Sequence, residues 1–72
     1  MTADERRLLE LLAGSADGST DALLREHGLT LEVMADMVRA GLATVHCDRA
    51  VEITRVWITD AGRRALAEVR SP

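Results

Sequence analysis

Apolar positions along this chain recur at helical spacing as far as residue 42 and then switch to alternation. Leu8, Leu9, Leu11 and Leu12 make one broad stripe of a first helix. Ahead of it, Thr2-Ala3-Asp4-Glu5 is a capping box, in which the Thr2 hydroxyl and the Glu5 carboxylate each satisfy an orphan backbone donor. The run Gly14-Ser15-Ala16-Asp17-Gly18 stops that helix with turn-like composition and leaves room for a short linking strand at its end. Ser19 or Thr20 caps a short second helix through Ala22, Leu23, Leu24 and Arg25 to His27, and Gly28 suits the left-handed position just past it. Thr30 caps a third helix that Gly41 ends. On it, Leu31, Met34, Ala35, Val38 and then Leu42 fall in one arc, which the spacing turns towards the core. Glu32, Val33, Asp36, Met37, Arg39 and Ala40 are then left facing outward.

From residue 43 the period becomes two. Ala43, Val45 and Cys47 alternate with Thr44 and His46, Asp48-Arg49-Ala50 supplies a turn, and Val51 to Ile58 is rich in β-branched residues. Pairing Val45 with Thr54 puts Ala43, Val45, Cys47, Thr54, Val56 and Ile58 on a core face. Thr44, His46, Ile53, Arg55 and Trp57 take the other. Thr59 caps a last helix, one side of which carries Gly62, Ala65, Leu66 and Val69. Residues 1–72 read as a single domain, without internal repeat or linker.

The expected fold class is therefore α+β and mostly helical. About three residues separate the second helix from the third, the spacing of a helix-turn-helix. Three helices, a β-hairpin and a C-terminal helix follow the order of a winged helix-turn-helix. Gly41-Leu42-Ala43, and then Val56-Trp57-Ile58-Thr59-Asp60-Ala61-Gly62-Arg63-Arg64-Ala65-Leu66, resemble the second wing strand and following helix of MarR- and PadR-like bacterial regulators. They are still more similar to small uncharacterised winged-helix proteins of GC-rich bacteria. The resemblance spans roughly residues 20–68 and is strongest over 56–66. It is specific for fold, because that stretch encodes a strand end, a helix cap and a glycine that permits close packing; it is not specific for activity. What it implies is double-stranded DNA binding by a homodimer, with the third helix in the major groove and the hairpin as a wing. The extra dimerisation helices of MarR proteins do not fit in 72 residues, so a dimer here needs another surface.

Charge changes that picture. All nine basic side chains are arginine, and twelve acidic residues leave the chain at −3. Phosphate neutralisation supplies most non-specific nucleic-acid affinity, so a binder of that kind is normally basic. The outward side of the third helix offers Arg39 against Glu32 and Asp36, where a base-reading helix favours Arg, Lys, Asn or Gln. The candidate DNA contacts are accordingly Arg25, Thr30 and Arg39 around that helix, with Arg49 at the hairpin tip and Arg55 on the strand. Val33 and Met37 form an apolar flank that suits either burial or a protein interface. Trp57, beside Ile53, suits either a homodimer contact or closure of the core over the N-terminal segment.

Other chemistries find little support. His46 and Cys47 are strand neighbours pointing to opposite faces, so they cannot share a metal ion. Cys47, the single cysteine, is expected buried and inert. No phosphate loop, nucleophile motif or paired-carboxylate spacing suggests an enzyme, and no cofactor or small-molecule substrate is implied. No apolar run approaches the ~20 residues of a membrane span, and the first residues lack the order of a signal peptide, so a bacterial cytoplasm is expected. Two functions remain: a small DNA-associated transcriptional regulator acting as a homodimer, and a protein-interaction module on the same scaffold that does not read DNA.

Overall fold

A computed structural model describes residues 1–70. It is α+β, with four helices and a three-stranded antiparallel sheet. In chain order these are α1 (Ala3–Ala13), β1 (Ser19–Thr20), α2 (Asp21–Glu26), α3 (Leu31–Arg39), β2 (Ala43–Asp48), β3 (Ile53–Ile58) and α4 (Asp60–Arg70). The helix starts lie where the capping residues put them. Thr2 and Glu5 form the reciprocal capping box, and the hydroxyls of Thr20 and Thr30 accept from the backbone N–H groups of Leu23 and Val33, both at 3.2 Å. Past α2 and α3 the backbone turns left-handed at Gly28 and Gly41, with φ near +80°, a conformation that carries no Cβ penalty only in glycine.

The core centres on α1, which packs against α3, α4 and β3. Leu8, Leu9 and Leu12 are fully buried there, joined by Leu24, Leu29, Met34, Met37, Ala43, Val56 and Leu66. Burying each large side chain among these contributes about 1.5–3 kcal/mol, which a core without aromatics must collect from many aliphatic contacts.

Strand order is β1-β3-β2, so the short linking segment at Ser19–Thr20 completes the sheet by pairing with Val56 and Arg55. The hairpin register differs from the expected one by two residues: Val45 faces Val56, not Thr54. The turn takes four residues, Arg49 to Glu52, with an Asp48 carboxylate accepting from the Ala50 N–H at 3.0 Å and Glu52 at φ 54°. Val51 thus belongs to the turn, and β3 begins at Ile53. Because strand side chains alternate, a shift of two leaves every side chain on its expected face.

The base of the hairpin is locked to α4. The Thr59 hydroxyl donates to the Gly41 carbonyl at 2.7 Å and accepts from the Gly62 N–H at 3.0 Å, while the Thr59 N–H donates to the Leu42 carbonyl at 3.1 Å. Gly62 sits so close to that strand that a Cβ on it would lie 2.2 Å from the Leu42 carbonyl oxygen and 2.7 Å from Ile58 Cγ1. The close-packing role expected of this glycine follows from that approach. Among the described residues, no helix is long and apolar enough to cross a membrane.

Candidate functional site: the groove between α3 and the hairpin

The third helix is turned about a quarter revolution from its expected setting. Six of the nine residues in LEVMADMVR are apolar, and they cover more of the circumference than one core contact can use. Met34 and Met37 point into the core, with Val33 and Val38 half-buried against it. Leu31, expected inside, is 59% exposed, and Ala35 is exposed as well. Met37 is only 4% exposed, so it cannot serve as the surface contact proposed for it, and Val33 turns inward with it. The cause is α1, whose leucines meet α3 on the Val33–Met34–Met37 side and leave the Leu31–Ala35–Val38 side towards the hairpin.

That second side lines an open, mainly apolar groove of about 460 Å³. Leu31, Ala35 and Val38 form one wall, Val45 and Thr54 the other, and Met34 and Val56 the floor. Asp21 and Arg39 lie on its rim. Val45 is on the expected face of the hairpin, yet it is 50% exposed while its partner Val56 is buried, because β2 is the edge of the sheet and β3 its centre. Cys47, two residues further out, is exposed too, which corrects the expectation of a buried thiol.

The candidate DNA contacts divide between the two faces of the sheet: Arg39, and Asp21 which holds Arg25, lie on the groove rim, and Arg55 lies on the opposite face. Arg39 is tied to Asp36 one turn back, and Arg25 to Asp21 at 3.2 Å. Thr30 uses its hydroxyl as the α3 cap. Arg55 is half-buried on central β3, between Thr20 and His46, on the face of the sheet that turns away from α3. Arg49 is at the exposed hairpin tip. The solvent-facing strip of α3 therefore carries Glu32, Asp36 and an arginine already engaged by one of them.

Trp57 is half-buried, and its indole lies over Gly18, where a Cβ would come within 2.8 Å of ring carbon Cε2. Extending the β1–β3 register puts Gly18 directly opposite Trp57, so the ring shields the backbone of its own neighbour strand. Ile53, across from Asp48 at the hairpin end, is also half-buried. Among the described residues, no group of three or more His, Cys, Asp or Glu side chains is placed to hold a metal ion.

The groove residues were legible only in part. The excess of apolar positions on α3 signals a second apolar contact beyond the ≳100° arc that a core-facing helix needs. Nothing local to the sequence says which arc α1 will take. Comparison with protein-family models, with curated proteins and with solved structures finds no match to this chain.

Proposed function

We propose that this chain is a winged-helix-like domain acting as a protein-interaction module, with the groove between α3 and the hairpin as its contact surface. Support for the fold reading comes from the order of elements and from the antiparallel β1-β3-β2 sheet behind a helix pair. The observation that carries the functional reading is the Leu31–Ala35–Val38 wall, exposed at Leu31 and Ala35 and half-buried at Val38, beside a strip on which Glu32 and Asp36 outnumber the one arginine, Arg39. An occupant of this groove is an amphipathic segment of a partner protein, presenting two or three bulky apolar side chains with basic residues flanking them. Its basic flanks answer Glu32, next to Leu31 on α3, and the net charge of −3.

A test uses the isotope-labelled chain and a synthetic leucine- and arginine-rich amphipathic peptide. Amide shifts should concentrate at Leu31, Ala35, Val38 and Val45, and Leu31→Asp should abolish them. Shifts spread evenly over the surface, or unchanged by Leu31→Asp, overturn this reading.

A second reading, a DNA-associated regulator acting as a homodimer, is favoured by one observation: Arg49 stands at the tip of a projecting hairpin, where a backbone phosphate is within reach. Mobility shift against random duplex at low salt separates the two. No retardation at tens of micromolar fits the interaction module. Retardation that falls steeply with salt, and weakens with Arg39→Ala and Arg49→Ala, establishes the regulator instead.

A further inference from the structure

The sheet ends on β2, and five of the six residues of that strand are exposed. Among the described residues no other strand lies beyond it. Which of its backbone groups are unpaired follows from one bond. Leu42 is opposite Thr59 if the Ala43–Ile58 register is extended by one, and the Thr59 N–H donates to the Leu42 carbonyl. Antiparallel partners alternate between hydrogen-bonded and non-hydrogen-bonded pairs. Thr44, His46 and Asp48 therefore direct their N–H and C=O groups to β3, whereas those of Val45 and Cys47 point outward from the sheet. Natural edges are usually blunted by proline, lysine or a bulge. This one has none of the three: its pairing runs unbroken from Ala43 to Asp48, neither residue type occurs in it, and its one acidic side chain, Asp48, stands at the end of the strand.

We infer that this edge pairs antiparallel with β2 of a second copy of the chain, about a two-fold axis through His46. Outward groups meet only if Val45 and Cys47 of one copy face odd-numbered residues of the other, so the axis must pass through Val45, His46 or Cys47. An axis at Val45 brings in Ala43, which is 2% exposed and already covered. One at Cys47 runs each strand into the turn of the other. The His46 axis keeps to residues 44–48 of both copies, all exposed. It also matches their chemistry. The Thr44 hydroxyl stands opposite the Asp48 carboxylate of the second copy, donor to acceptor, and symmetry repeats the pair. On the groove side, exposed Val45 meets Cys47 of the second copy, so the interface continues the apolar wall of the groove. Five paired residues fall well short of the roughly 800 Å² per partner of a standard interface, which makes this dimer weak and concentration-dependent.

Cross-linking tests the register directly. In the His46-centred pairing the two His46 Cβ atoms lie about 4.5–5.5 Å apart, near disulfide reach, whereas the two Cys47 Cα atoms are roughly 8 Å apart and beyond it. The double variant His46→Cys, Cys47→Ser should give a covalent dimer under mild glutathione oxidation, in a yield that rises with protein concentration. The native chain should give little under the same conditions. Equal yields from both, or none from the variant, overturn the proposal. Val45→Pro is the complementary variant, because it removes an outward N–H and leaves the β2–β3 ladder intact. Sedimentation should find it folded and monomeric at concentrations where the native chain dimerises; a folded variant that dimerises as before also overturns the pairing. This inference stands apart from the groove reading. Leu31→Asp, which destroys the groove contact, should leave the cross-linking yield unchanged.

Discussion

The side of α3 that carries Met34 and Met37 and the side that carries Leu31 and Ala35 have similar sequence character but opposite fates. One is sealed against the leucines of α1; the other opens on a groove whose far wall is the outer half of the hairpin. The hairpin shows the same contrast along its length. Its base is fixed by Thr59 and Gly62 and buried at Ala43, and central β3 is buried at Val56, while Val45 opposite it on edge strand β2, and Cys47 and Val51 further out, stand in solvent. Apolar character alone therefore does not mark a core residue here. A position is buried when another element reaches it, and the four short helices do not reach the outer hairpin.

Mutational free energies should divide along this boundary. The largest effect is expected at Met37→Ala, which leaves a cavity between α1 and α3 and costs about 3 kcal/mol, measured by urea unfolding. If it costs under half a kilocalorie, α3 does not bury this face. Gly62→Ala comes next, at about 2–3 kcal/mol, because its new Cβ meets the Leu42 backbone carbonyl, an atom that cannot swing aside. Thr59→Ala removes the α4 cap and the bond to Gly41, and should cost about 1–2 kcal/mol by the same measurement. The smallest change is expected at Leu31→Ala, within about 0.5 kcal/mol of the native chain, since its side chain is already in water. A cost for Leu31→Ala as large as that of Met37→Ala would erase the distinction between the two faces.

The interaction reading places its weight on the open side, and so do both proposed contacts. Leu31 serves the groove, and the backbone of Val45 serves the edge. Each can be removed without entering the core, so loss of binding can be separated from loss of fold. The ring of Trp57, the residue expected either at a homodimer contact or over the N-terminal segment, lies half-buried over Gly18 of the same chain. Substituting it is expected to loosen the attachment of β1, and sedimentation of Trp57→Ala therefore has to be read together with its unfolding curve.

Local chemistry by itself determined where most elements begin and end. Threonine hydroxyls at positions 2, 20, 30 and 59 cap the four helices, the glycines at 28 and 41 end two of them, and alternation after residue 42 produces a hairpin whose side-chain alternation, though not its register, follows from the sequence. Those features depend on residues a few positions apart, so the chain specifies them without its neighbours. Tertiary contact decided the rest: the rotation of α3, the exposure of Val45 and Cys47, the ion pairs that occupy Arg25 and Arg39, and the unpaired edge of β2. A helix apolar over more than one face has no preferred rotation of its own. It acquires one only when another surface, here the leucines of α1, buries the side that gains most from leaving water.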